Sequence, residues 1–291
     1  MRITRIIAVT LSWTAAATLN GCSGDGPRAN KSVSPRSDVS GIRLTTLVYD
    51  IRDPLSERCD DPTAEVNRLL NSLTQKGEAP SEFTRDAWKA DGVRLIAAPM
   101  DQVGALLKRF RACRPVQQIN FTELLTPAPI YSGPLTDQDI RLKREDEVLT
   151  LPGGMLRLFA RCYEVPGELN EQGIASAAIR LDVSLQHADP SLLITTNANP
   201  FAPAPSARPV EQGGFFRTLD FSIDLDASAT LVLFDQSPEQ SQSPIDVAGP
   251  IPLMLPTVGQ VLLTDFETIP KPVLRTIIVI EAVTPRASTL R

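Results

Sequence analysis

Residues 174–186 read Ile174-Ala-Ser-Ala-Ala-Ile-Arg-Leu-Asp-Val-Ser-Leu-Gln186. Ala175, Ala177, Ile179, Leu181, Val183 and Leu185 fall on one side of an extended chain, and Ser176, Ala178, Arg180, Asp182, Ser184 and Gln186 on the other. Side chains alternate along a strand, so this near-strict period of two predicts an antiparallel strand with one dry and one wet face. Segments around it extend the pattern. Met155–Val165, Phe215–Leu225, Thr230–Asp235, Gln260–Thr264 and Val273–Val283 read as further strands. In Phe215–Leu225 the residues Leu219, Phe221, Ile223 and Leu225 alternate with Thr218, Asp220, Ser222 and Asp224. Ile277-Ile278-Val279-Ile280 is apolar on both sides, which predicts a central strand buried on both faces.

Upstream the periodicity changes. Ile42–Ile51 is rich in β-branched residues and predicts a strand. Asp61-Pro62 pairs an N-cap with proline at the first helical position, and Val66, Leu69, Leu70 and Leu73 then repeat at helical spacing up to Gly77. Ser81 caps a short helix through Trp88, Val93–Ala98 predicts a strand, and Val103, Leu106, Leu107 and Phe110 another helix. Gln117–Leu124 predicts one more strand. Helical signal stops at Thr126-Pro127-Ala128-Pro129, which reads as a boundary. The expectation is an α+β chain: a small α/β domain over 42–126, then a larger, mostly antiparallel β domain over 127–291. Two proline-rich stretches, Thr195–Gly214 and Gln236–Thr257, read as long surface loops.

The amino terminus carries a separate message. Arg2 and Arg5 precede the mostly apolar stretch Ile6–Leu19, which is shorter than the roughly 20 residues of a membrane span and suits the core of a signal peptide. It ends in Leu19-Asn20-Gly21-Cys22, which resembles the lipobox of bacterial lipoproteins. The resemblance implies cleavage after residue 21, lipid on Cys22, and attachment to the cell membrane or outer membrane with the body facing the periplasm or exterior. Residues 22–41 are small, polar and rich in breakers, and read as a flexible tether.

Removing residues 1–21 takes away Arg2 and Arg5 and no acid, so the net charge of −5 becomes −7 for the mature chain. An acidic body argues against nucleic acid as a partner. Cys59, Cys113 and Cys162 remain after Cys22. An exported chain can oxidise them, and the expected pair is Cys59–Cys113, both within the first unit, leaving Cys162 free.

Catalytic signatures are lacking. The chain has one histidine, His187, and no HExxH, Gly-x-Ser-x-Gly or phosphate-cradling glycine loop before a helix. His187 follows a predicted strand and reads as a surface residue. Asp220, Ser222, Asp224 and Asp226 gather acids along one strand and its exit, which raises a Ca²⁺ site against the commoner solvated face; Glu145-Asp146-Glu147 reads as part of a solvated mixed-charge run. No catalytic residue, metal site or cofactor is assigned.

The last part of the chain carries a second resemblance. Phe215–Leu225 leads through Asp226-Ala-Ser-Ala into Thr230-Leu-Val-Leu-Phe234; Pro250–Gly259 follows, and Leu274–Arg286 closes in Thr-Pro-Arg. This order resembles the carboxy-terminal part of bacterial secretins, with Asp235-Gln236-Ser237 standing where that family has a glycine pair. The resemblance implies a secretin-like β domain and a non-enzymatic role with envelope or secretion-system proteins, or with further copies of itself. The alternative expectation is a solute- or glycan-binding lipoprotein.

Overall fold

Gly41–Asp50 (β1) lies between two antiparallel neighbours, Leu274–Val283 (β13) on one side and Gln117–Thr122 (β3) on the other. The computed structural model describes residues 40–57, 60–144, 147–169, 175–188, 213–236, 255–265 and 274–284. Val93–Pro99 (β2) and Ala229–Asp235 (β11) complete the sheet, in the order β2-β11-β13-β1-β3, with Thr264–Asp265 (β12) beside β13. A second sheet is built from Leu124–Thr136 (β4), Gly154–Leu169 (β7), Ala175–Ala188 (β8) and Phe221–Leu225 (β10), in the order β10-β8-β7-β4, with Gly213–Phe215 (β9) beside β8. Ile140–Arg144 (β5) and Glu147–Leu151 (β6) form a separate hairpin. The pairings are antiparallel throughout the named strands, so the α+β class holds.

Apart from its edge strand β3, the first sheet is buried on both faces. Ile42, Leu44, Leu95, Leu231, Leu233, Ile278 and Ile280 point toward the second sheet, where they meet Leu158, Ala160, Ile179, Leu181, Val183 and Ile223. Leu47, Tyr49, Ile96, Val232, Phe234, Ile277 and Val279 point the other way, onto helices Pro62–Asn71 (α1) and Met100–Leu107 (α3). The result is three layers: helices, the doubly covered sheet, and a sheet whose far side is polar. Glu82–Ala90 (α2) closes one end of the sandwich. Its Trp88 is fully buried, donates from Nε1 to the Leu219 carbonyl at 2.9 Å, and meets Phe221 edge-on.

Local signals place the helices. Asp61 accepts from the Ala64 N–H at 2.9 Å at the start of α1, and Ser81 from the Thr84 N–H at 3.2 Å at the start of α2.

Four expectations need correction. The chain is not divided at 126/127, because β1, β2 and β3 share one sheet with β11 and β13, and Ser37–Arg291 is one compact unit. The boundary expected at Thr126–Pro129 lies inside β4; proline is tolerated there because β4 is an edge strand that, among the described residues, pairs only with β7, with register shifts after Leu124 and Pro129. Gln260–Thr264 is mainly helical: Val258–Leu263 (α4) starts in a reciprocal capping box, Thr257 Oγ1 accepting from the Gln260 N–H while the Gln260 side chain accepts from the Thr257 N–H. The predicted strand Phe215–Leu225 is also broken by a 3-10 turn at Arg217–Leu219. Within the two proline-rich stretches, residues 195–212 and 237–254 lie outside the described residues.

Ile280 is fully buried beside Leu44 on β1 and Leu231 on β11. Ile280→Asp places an unpartnered carboxylate there and should cost several kcal/mol, about the whole margin of many domains. Loss of the cooperative thermal transition is the expected result; a wild-type melting temperature would contradict this placement.

Candidate functional site

Cys22 and Cys59 lie outside the described residues. Cys113 is exposed, and its N–H donates to the Val48 carbonyl at 2.8 Å; Cys162 is buried and free. The Cys162 thiol is pushed up by burial and faces the Thr122 carbonyl at 3.6 Å, so it packs as a small apolar group. His187 contacts the Pro152 carbonyl through Nε2 at 3.0 Å at the end of β8.

The acids on the outer side of the second sheet are matched. Asp224 takes a two-pronged contact from Arg180 at 2.7 Å for each bond, and Asp182 takes Arg161 at 2.7 Å and the Ser222 hydroxyl at 2.6 Å. Asp226 accepts from Lys76 at 3.1 Å and from the Ser228 N–H at 2.7 Å. Among the described residues no three His, Cys, Asp or Glu side chains converge as metal ligands. Arg161 and Arg180 on neighbouring strands and Lys76 on the loop after α1 neutralise Asp182, Asp224 and Asp226 one at a time, as surface pairs; Asp220, whose carboxyl is pushed up by partial burial, lies outside these pairs. This face is not wholly wet: Gln186 is buried, and Phe159 beside it is covered edge-on by Phe215 at 5.1 Å.

Two buried polar knots lie at the ends of the doubly covered sheet. In one, Arg275 Nε meets Asp235 at 3.1 Å, and the Tyr49 phenol is pushed up to about 12, chiefly by burial. In the other, Asp91 sits between α2 and β2. Its carboxylate accepts from the Lys143 N–H at 2.6 Å and its carbonyl from the Gly259 N–H at 2.8 Å. The next carbonyl, Gly92, accepts from the Gln236 N–H at 2.9 Å. Gly92 has φ +83°, and a Cβ on it would lie 2.4 Å from Thr257 Oγ1, so both conformation and space demand glycine. Burial pushes the Asp91 carboxyl up to about 6, opposed by the Lys143 N–H and by the charges of Arg141 and Lys143.

Clefts among the described residues offer places for a ligand. One, of about 390 Å³, is an open depression on the outer face of the second sheet around Arg161, Asp182 and Asp220, and two more border the first sheet. Of these two, one, of about 290 Å³, lies between β4 and the β1–β13 side of the first sheet; Tyr131, Thr276, Arg114 and Asp265 line it, and its cation is already matched, Arg114 to Asp265 at 2.9 Å. The other, of about 320 Å³, lies between α2, the end of α1, β2 and the end of β11, and holds Arg85, Asp86, Lys89 and Arg94. Sequence reading passed over these basic residues. The available signal was Arg85 and Lys89 four apart on one helix, hence on one face.

A third feature is the free edge of β3. Gln117–Thr122 carries no charge and no proline and, among the described residues, pairs only with β1. Val116, Ile119 and Leu125 around it are 46%, 45% and 70% exposed.

No protein family, no curated protein and no solved structure matches this chain.

Asp91 holds its proton more tightly folded than unfolded, so the stability it lends is complete below about pH 4 and is lost as the pH rises through about 6. Asp91→Asn keeps an acceptor for the Lys143 N–H without the charge. It should flatten that slope and raise stability above pH 6 by on the order of 2 kcal/mol, read by denaturant unfolding across the range. An unchanged slope would mean that Asp91 is ionised at no cost.

Proposed function

We propose that this chain is a lipid-anchored envelope module that acts through protein contacts, as a structural component of a secretin-type secretion apparatus. The observation that carries this reading is the free edge of β3. Edge strands ordinarily protect themselves with charge, proline or a bulge, because unpaired N–H and C=O groups recruit other strands. β3 has no charge and no proline, carries exposed Ile119 and is flanked by exposed Val116 and Leu125. Such an edge suits addition of a strand from a neighbouring subunit, with main-chain bonds giving affinity and the apolar side chains giving register. The lipobox-like Leu19–Cys22 supports the anchor, and the order of segments from Phe215 to Arg286 supports the secretin connection. Among the described residues no helix is long and apolar enough to cross a membrane. On this reading the lipid on Cys22 holds the protein at the cell membrane or outer membrane, and its partners are envelope or secretion-system proteins, further copies of the chain among them.

Two measurements test the parts separately. Cys22→Ser should move the protein from the membrane to the soluble fraction or leave an uncleaved precursor; an intact mass with unmodified Cys22 in the wild type would end the anchoring claim. Ile119→Lys with Leu125→Lys in the full chain should abolish the envelope complexes recovered by crosslinking and co-purification. Loss of two apolar contacts in a docked strand costs about 2 kcal/mol or more, some thirtyfold in affinity. Both side chains are substantially exposed, so the melting temperature should stay near wild type. Complexes that survive the double substitution would remove β3 from the interface.

A further inference from the structure

Acidic though the chain is, many of its basic side chains are held in ion pairs, from Arg43 with Glu281 to Arg180 with Asp224 and Arg275 with Asp235. Arg85, Lys89 and Arg94 are not: none is in an ion pair with a described residue, and all three line the cleft of about 320 Å³ beside α2. Asp86 is the single carboxylate in the same lining, so the cleft keeps an excess of positive charge that a bound anion could match. We propose that this cleft is a binding site for a phosphate monoester that carries a neighbouring hydroxyl.

The charge count favours phosphate over a single carboxylate. Three cations and the one carboxylate of Asp86 leave the lining with two net positive charges. A phosphate monoester carries about −1.5 to −2 near pH 7 and offers three acceptor oxygens.

The donors are positioned before any ligand arrives. Arg94 donates to Asn71 Oδ1 and its guanidinium stands 5.6 Å over the Phe234 ring, while burial lowers its pKa. Arg85 donates from Nη1 to the Glu78 and Pro80 carbonyls, which fixes the direction of the rest of its guanidinium. Lys89, one helical turn along from Arg85, is exposed at the rim and supplies a mobile charge.

The acceptors explain the hydroxyl. Gln236 Oε1 is buried with no hydrogen-bond partner, although its residue is held in place by the bond from its N–H to the Gly92 carbonyl at 2.9 Å. An orphaned acceptor at the wall of a basic cleft is wasted on a bare anion and satisfied by an O–H beside it. Asp86 provides a second acceptor at the same mouth. Gln75 is wall, not ligand: its Oε1 accepts from the Ala97 N–H at 3.1 Å and its Nε2 donates to the Ala79 carbonyl at 2.8 Å.

The test is isothermal titration of the purified full chain with glycerol 3-phosphate, and separately with glycerophosphoglycerol, at constant ionic strength. Glycerol 3-phosphate stands for a soluble monoester; glycerophosphoglycerol is the singly charged diester head of an anionic phospholipid. Saturable binding of the monoester, tighter than the diester, is expected. Lys89→Gln and Arg94→Gln should each weaken it roughly tenfold or more. Asp86→Asn should tighten it, because a repelling charge leaves while an acceptor stays. Lys89 and Asp86 are exposed, so those two variants test the claim even if Arg94→Gln disturbs the contacts with Asn71 and Phe234. No saturable binding at millimolar monoester, equal affinity for the diester, or an affinity indifferent to Lys89→Gln and Asp86→Asn would each overturn the proposal.

Discussion

The molecule depends on one strand having no solvent face. β13 lies between β1 and β11, and its residues Ile277 to Ile280 send alternate side chains into two different cores. A strand of that kind cannot be removed or shifted by one residue without emptying both cores together. Because it enters the sheet beside Gly41–Asp50, the start of the folded body is completed only when its end arrives. The ladder Gly41↔Val283 to Asp50↔Leu274 joins residues more than two hundred positions apart. Closing such loops costs entropy before any contact repays it, so the first sheet should assemble late in folding.

The Asp91-Gly92 turn is a second point of dependence, of a different kind. Three chain segments donate main-chain N–H groups to it: Lys143 of β5 to the Asp91 carboxylate, Gln236 just after β11 to the Gly92 carbonyl, and Gly259 at the start of α4 to the Asp91 carbonyl. A Cβ on Gly259 would lie 2.1 Å from the Gly92 carbonyl oxygen, so two glycines permit one close approach. A half-satisfied buried carboxylate holds this junction, which costs stability at neutral pH and fixes where β5, α4 and β11 stand relative to one another. Gln236, bonded here, also lines the basic cleft.

What could be read in advance follows from how local each signal was. Ile179, Leu181, Val183 and Leu185 announced their dry face by alternation alone, and Ile277 to Ile280 their double burial by its absence; both are buried as expected. Asp61-Pro62 and Ser81 announced helix starts because caps are made within one turn of chain. Partnership was not legible. Nothing in Ile42–Ile51 says that its neighbour is Leu274–Val283, so two domains were read where one sheet exists. The prolines of Thr126–Pro129 read as a boundary because their tolerance depends on being at a sheet edge, a tertiary fact. Val261, Leu262 and Leu263 looked like a strand because a short apolar run is ambiguous, and the Thr257–Gln260 capping box was the overlooked arbiter. The cleft was invisible for the same reason as the shared sheet: Arg85 and Lys89 come from a helix, Arg94 from a strand next to it, and Gln236 from the far end of the chain.

The two sheets treat their outer surfaces in opposite ways, and this bears on the proposed assembly role. The second sheet spends Arg161, Arg180, Asp182 and Asp224 on cross-strand pairs that keep its face hydrated and unattractive to other strands. The first sheet leaves β3 uncharged at its edge. A six-residue strand offers too few main-chain bonds and too little apolar area to hold a partner in dilute solution. On the proposed reading, the lipid at Cys22 supplies what the edge lacks. Confinement to a membrane raises the effective concentration of one subunit near another, so weak contacts add up without any single one being strong. On that same reading anchor and edge work as a pair: the anchor alone would tether the protein without joining it to a partner, and the edge alone would be too weak to join it to anything in dilute solution.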